Sequence, residues 1–206
     1  MLRERDYNIL RFIEKYNAIS LKNACTIFFT GKYKDEEYRY RVAARRLQTL
    51  EEKGILQSYR NSYTDEKIYY IKKKICPHSI FIQDFWRKLI DMDFKVIEFN
   101  TNISLMNGQI KPDAFVLAEY EGIKVNYFLE VDLNHYTDKS KLVRYEMFYK
   151  SEELSELCGD RKPCLIITRP THGRDLRYTS KLFDIVYTDL KYTNLERFLF
   201  EDWFIH

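Results

Sequence analysis

Between Glu36 and Lys53 the chain carries Val42, Ala43, Leu47 and Leu50 along one helical face, and Gly54 follows as a stop. A stripe with that spacing has to be buried against neighbouring elements, so the segment reads as a packed helix with a defined outer side. Off the stripe lie Arg39, Arg41, Arg45 and Arg46, while the acids Glu51 and Glu52 are held back to the end. Guanidinium forks suit guanine edges and phosphate oxygens, and carboxylates in the same stretch would repel both. This helix therefore constrains the first third of the chain more than any other feature.

Its surroundings follow a pattern. Ile9, Leu10, Phe12, Ile13 and Tyr16 share a face of an earlier helix, and Ser20 caps a second one from Leu21 to about Phe29, closed by Gly31. After Gly54, two β-rich runs, Ile55 to Arg60 and Glu66 to Ile71, flank a polar turn, which predicts a hairpin. Three helices and a hairpin in about 70 residues resemble the winged helix-turn-helix family. The resemblance implies binding of double-stranded DNA, with Arg39, Arg41, Arg45 and Arg46 entering the major groove and Arg60 and Lys67 flanking the wing. Charge agrees: residues 1–75 hold 17 Lys and Arg against 10 Asp and Glu, whereas residues 76–206 hold 17 against 21. A division of this kind suggests that one half meets a polyanion.

Lys72, Lys73 and Lys74 followed by Pro77 mark a boundary, giving domains 1–75 and 76–206. In the second, a helix is expected from His78 to about Met92 and a strand from Phe94 to Phe99. Strands through Asp113 to Ala118 and Lys124 to Asp132 are joined by a turn at Glu121 and Gly122, so they form a hairpin. Asp113, near the start of one strand, and Glu130, near the end of its antiparallel partner, fall at the same end of the sheet. A helix from Asp138 to about Leu157, a buried strand from Cys164 to Thr168, a helix from Arg174 to Phe183, a short strand from Ile185 to Thr188 and a last helical segment complete an α/β three-layer domain.

That order of elements resembles the PD-(D/E)XK nuclease-like fold on Pro112, Asp113, Glu130, Val131 and Asp132. The resemblance implies a catalytic set of Asp113, Glu130, Asp132 and Lys141, with Mg²⁺ or Mn²⁺ held by Asp113, Glu130 and Asp132, because hard cations take oxygen ligands. Asp132 stands where active members carry lysine. Either Lys141, on the next helix, substitutes for it, or the scaffold has lost its chemistry. As a whole the chain resembles the replication-relaxation family, through the Arg-rich third helix and wing, the helix opened by His78, the Pro112–Ala114 strand, the Phe128–Asp132 strand and the run from Lys141 to Tyr145. Glu130-Val131-Asp132 looks like that family's own form of the motif.

The implied function is that of a cytoplasmic DNA-binding accessory protein of a plasmid or other mobile element. Its role would lie in replication, conjugative mobilisation or local transcription control, with no cofactor required for DNA binding. Two alternatives stay open: a metal-dependent DNA endonuclease or nickase, and a scaffold that recruits a relaxase or replication protein. A homodimer would suit a symmetric DNA site.

Other residues weigh less. Cys25, Cys76, Cys158 and Cys164 show no paired spacing, so free thiols are expected rather than a zinc site, even beside Pro77 and His78. His135 sits close to Asp132, and Arg169, Arg174 and Arg177 follow the Cys164 strand as candidate phosphate grips. His78, His172 and His206 carry no comparable signal. Phe81, Phe85, Trp86, Phe198, Phe200, Trp203 and Phe204 are expected to fill core, with a dimer surface as the alternative. No apolar run reaches the roughly 18 residues that span a bilayer, and the charged start does not read as a signal peptide.

Overall fold

The computed structural model describes residues 1–33, 35–170 and 178–203, with side chains to residue 200. The chain is a mixed α+β protein that divides into two compact units, Met1–Asp91 and Met92–His206.

In the first unit, α1 (Glu4–Tyr16) buries Ile9, Phe12, Ile13 and Tyr16. Asn17, in the left-handed region at φ 69°, turns the chain into a short strand, β1 (Ala18–Ser20). Ser20 then caps α2 (Leu21–Phe29), its Oγ accepting the Asn23 N–H at 3.0 Å. Asp35 caps α3 (Glu36–Glu52) by accepting the Tyr38 N–H at 2.6 Å. Ala43, Leu47 and Leu50 are buried as the stripe predicts, while Val42 is half-buried. Gly54, at φ 69°, makes the turn toward β2 (Gln57–Arg60), which pairs with β3 (Lys67–Tyr70). The sheet is antiparallel in the order β1-β3-β2. At three residues, β1 is too short to announce itself by alternation.

The helix α4 (Pro77–Asp91) belongs to this unit, so the boundary falls after Asp91 rather than after residue 75. Side-chain alternation in the sheet supplies the reason. Lys67 turns toward Glu51 on α3, whereas Ile68 and Tyr70 point the other way, into a cluster with Ala18 and with Ile80 of α4, joined by Tyr59 and Ile75. Uncovered, that face would leave several apolar side chains in water. Polar contacts fix the helix in place: Gln83 Nε2 donates to the Ala18 carbonyl at 2.9 Å, and Arg87 Nε to Asn23 Oδ1 at 3.2 Å. Trp86 rests against Phe12 and Tyr16, with ring centroids 5.4 and 5.9 Å away. Phe81 and Phe85 are buried too, so these aromatics fill core.

The second unit is built on five strands: β4 (Lys95–Asn100), β5 (Ala114–Tyr120), β6 (Ile123–Val131), β7 (Cys164–Arg169) and β8 (Ile185–Asp189), adjacent in that order. The first three form an antiparallel meander, and β7 and β8 then run parallel to β6. Between β5 and β6, Glu121 (φ 50°) and Gly122 (φ 81°) form a two-residue turn of the expected kind. From β6 the chain crosses back through α5 (Lys139–Phe148) and α6 (Glu152–Cys158). The single helix predicted from Asp138 to Leu157 is therefore two. The N–H groups of Lys150 and Ser151 turn back to the carbonyls of Met147 and Phe148, closing α5 with a tight turn before α6 begins.

Phe115, Phe128, Leu165 and Ile167 form the sheet face under α5, where they meet Leu142, Tyr145 and Phe148. The helix predicted from Arg174 to Phe183 is absent over its described part: residues 178–184 lack regular structure, and Tyr178 is held by Tyr187 through its N–H and carbonyl. Arg174, Arg177, His172, Phe204 and His206 lie outside the described residues. The last described elements are α7 (Leu195–Arg197) and a π-helical turn, Phe198–Trp203, whose Phe200 packs on Phe94 and Tyr120. All four cysteines are free thiols, and among the described residues no helix is long and apolar enough to cross a membrane.

Candidate functional site

The six cations singled out in the first unit divide sharply. Arg41 and Arg45, one helical turn apart on α3, are exposed and take part in no ion pair among the described residues. Tyr38, half exposed, continues the same stripe one turn earlier, its ring packed edge-on against Tyr33 at 5.5 Å. Arg39 is half-buried beside Cys25, whose thiol is pushed up by burial against the opposing pull of that guanidinium.

Arg46 is not available to a ligand. It forks onto both oxygens of Asp6, a carboxylate only 1 % exposed that also accepts the Arg3 N–H at 2.5 Å. Burial works against the Asp6 charge, yet the bonds from Arg46 and Arg3 outweigh it and hold the carboxyl below its usual range. The pair ties α1 to α3. Lys67 is likewise engaged: its Nζ lies 2.6 Å from Glu51, which also accepts the Ser58 hydroxyl at 2.6 Å. Arg60 closes the hairpin tip on the Asp65 carbonyl and carboxylate, but with both side chains largely in water. The tip itself is a tight turn, with the Asp65 N–H returning to the Asn61 carbonyl at 2.8 Å and Tyr63 lying over Phe81.

In the second unit the strand register brings the predicted carboxylates together. Ala114 pairs with Leu129, so Asp113 stands opposite Glu130, and its Oδ2 accepts the Val131 N–H at 2.7 Å. Glu130 and Asp132 are two residues apart and share the face under α5. Lys141 does reach the site: Asp138 caps α5 through the Lys141 N–H at 2.7 Å, and the Lys141 Nζ reaches Glu130 Oε2 at 2.6 Å and the Lys111 carbonyl at 3.2 Å. The other Glu130 oxygen accepts the Tyr145 hydroxyl at 2.7 Å. Burial raises Glu130 to about 7, against the opposing pull of Lys141 and Tyr145. Asp132 is raised too, first by burial, although Thr137 and Arg169 favour its charge.

Asp132 has its own partners. Its Oδ1 accepts the Thr137 N–H and hydroxyl at 2.8 and 2.7 Å, and its Oδ2 accepts from Arg169 at 2.8 Å. The Arg169 guanidinium lies over the rings of Tyr136 and Tyr187, 5.1 and 5.0 Å from their centroids. His135 is exposed.

As they stand, these residues are not grouped as a divalent-cation site. Mg²⁺ and Mn²⁺ need several oxygen lone pairs converging on one point, and here both oxygens of Glu130 and both of Asp132 already accept from donors. Among the described residues no three His, Cys, Asp or Glu side chains are grouped to hold a metal ion. The proposed ligands Asp113, Glu130 and Asp132 share a face and an end of the sheet without forming such a group.

Sequence reasoning missed Asp6, Tyr145, Thr137, Tyr136 and Tyr187 as members of these networks. Only Asp6 carried a signal, as an acid in the first turn of a helix whose neighbour is rich in arginine. No known family model matches the chain, and no curated protein is significantly similar to it.

Proposed function

We propose that the chain is a double-stranded DNA-binding accessory protein, with the first unit a winged helix whose α3 enters the major groove. The observation that carries this reading is the outer face of α3, where Arg41 and Arg45 stand in water on a helix capped by Asp35 and anchored by Ala43, Leu47 and Leu50. The order α1-β1-α2-α3-β2-β3 with sheet order β1-β3-β2 supports it, as does the basic surplus of this part of the sequence. Arg39 and Arg60 are secondary contacts, while Arg46 and Lys67 serve the fold. With so tight a hairpin tip, the helix rather than the wing carries the binding.

The second unit is read as a PD-(D/E)XK-like scaffold without catalysis. The meander, the crossover through α5 and the parallel β7 support the fold, and the engaged carboxylates favour a scaffold that would recruit a replication or mobilisation protein. A role on a plasmid or other mobile element, in replication, mobilisation or local transcription control, is proposed from the sequence's resemblance to the replication-relaxation family alone.

The test is binding of a labelled random-sequence duplex to the full chain across a salt series. Arg41→Ala with Arg45→Ala should weaken binding by about tenfold or more and flatten the slope of log affinity against log salt by roughly two. An unchanged slope, with melting intact, would sink the assignment. Supercoiled plasmid offered with Mg²⁺ or Mn²⁺ should be nicked no faster by the wild type than by Asp113→Ala.

A further inference from the structure

On the crossover between β6 and β7, Leu142, Tyr145, Phe148 and Leu154 press α5 and α6 onto one face of the sheet, so both helices turn their other sides outward. On that outer side α5 carries Val143 and Met147, one helical turn apart and 41 and 53 % exposed. Two large apolar side chains stacked along one helix form a patch rather than scattered exposure. Charges frame it in a definite order. Lys139 and Lys150 stand exposed before and after the apolar pair, and Glu152 and Glu156 stand exposed on α6. Among the described residues none of these four takes part in an ion pair. Their neighbours do serve the fold: Glu153 accepts the Met106 N–H, and Glu146 accepts the Ser180 hydroxyl at 3.0 Å.

We infer that this face is a docking surface for a second copy of the same chain, with α5 of one protomer against α6 of its partner about a two-fold axis near the turn at Lys150 and Ser151. The argument is self-complementarity. A two-fold contact sets one patch against itself, so charge favours it only where one end of the patch is the complement of the other. Here the basic end is α5 and the acidic end is α6, joined by a tight turn. The rotation brings Lys139 and Lys150 of one protomer toward Glu156 and Glu152 of its partner. It also takes Val143 and Met147 of both copies out of water, and the unbranched methionine adapts to whatever shape it meets. A face of one sign would repel its own copy. The open edge of the sheet suits a second copy less well. Ile97, exposed on the edge strand β4, is the extra residue of a register shift between Val96 and Glu98, and such a bulge bends an edge away from straight pairing. Two short helices bury little area, so the dimer should exchange with monomer in the micromolar range.

Sedimentation equilibrium of the full chain across the micromolar range reads the mass directly. The wild type should approach the mass of two chains, and added salt should loosen it, because exposed charges are screened. Met147→Glu should weaken self-association by about tenfold or more. Its melting should stay that of the wild type, since the side chain it replaces is already in water. Two charge-reversed chains form the decisive arm. Lys139→Glu with Lys150→Glu leaves all four framing charges acidic, and Glu152→Lys with Glu156→Lys leaves all four basic. Each alone should sediment as a monomer; mixed, they should pair one to one. A wild type that stays monomeric throughout the range overturns the inference. So does a dimer whose mass ignores Met147→Glu and both reversals, because it uses another face. Reversed chains that remain apart when mixed would point to a partner other than a second copy, and they overturn it too. Neither Arg41 nor Arg45 belongs to this face, so Arg41→Ala with Arg45→Ala should leave the mass unchanged, and this inference and DNA binding fail separately.

Discussion

The two units handle their charges in opposite ways. In Met1–Asp91 two arginines of α3 face outward, Arg41 and Arg45 into solvent, while the buried acid Asp6 is neutralised within the fold by Arg46. In Met92–His206 the acids are inside, and Lys141 and Arg169 turn inward to meet them. Arg46 thus has more in common with Arg169 than with its helical neighbour Arg45. Net charge in sequence does not separate a cation left in water from one that holds the protein together; the burial of its carboxylate partner does.

The contrast is broken most forcefully on α3 itself. Arg46→Met leaves Asp6 buried without its counter-ion, which should cost about 3–5 kcal/mol in urea unfolding of the full chain. Arg45→Ala, one residue away, should stay within about 0.5 kcal/mol. Equal effects on stability would erase the distinction between the two arginines. The reverse ordering is expected for DNA: the salt slope should respond to Arg45 and not to Arg46 in any Arg46 variant that retains its fold.

Much of the first unit was legible because its signals are local. The stripe of Ala43, Leu47 and Leu50, the Ser20 cap and the Gly54 stop each act within a turn or two, and all three stand where the sequence places them. What was not legible depends on distant partners. Nothing around Arg46 says that it faces Asp6 some forty residues earlier, and nothing around Lys67 names Glu51. The assignment of α4 was missed for a similar reason, since its membership is decided by the apolar sheet face it covers. In the second unit the hairpin turn at Glu121 and Gly122 fixed the register, and with it the meeting of Asp113 and Glu130. The donors that then engage the carboxylates come from a helix, a loop and another strand, beyond what period and spacing convey.

Acidity sharpens the comparison next, because the buried acids respond to pH with opposite signs. Glu130 is raised to about 7 by burial, so the folded chain holds its proton where the unfolded chain has lost it. Its contribution is full below the ordinary glutamate range and is lost as pH rises through 7. Stability should fall between pH 5 and pH 8 by on the order of 2 kcal/mol from this group, and Glu130→Gln should remove that fall. Asp84, raised to about 6 by burial, has the same sign, so Asp84→Asn serves as the parallel control in the first unit. Asp6 runs the other way: held low, it stabilises above the ordinary aspartate range and gives that up as pH drops. Urea midpoints across pH for the wild type and these two variants separate the contributions, and an unaltered alkaline slope in Glu130→Gln would show that another group sets it.

The smallest effect is expected at the hairpin tip, and it tests where the outward-facing class of cations ends. Arg60 and Asp65 form an ion pair with side chains 66 and 82 % exposed, in which water and salt screen the attraction. Arg60→Ala should therefore leave the urea midpoint almost unchanged. If Arg60 turns from Asp65 to a phosphate when duplex is present, the variant should lose about one unit of salt slope and little else. A loss of stability instead, comparable with that of Arg46→Met, would move Arg60 into the group of cations that hold the fold and leave α3 alone to meet DNA.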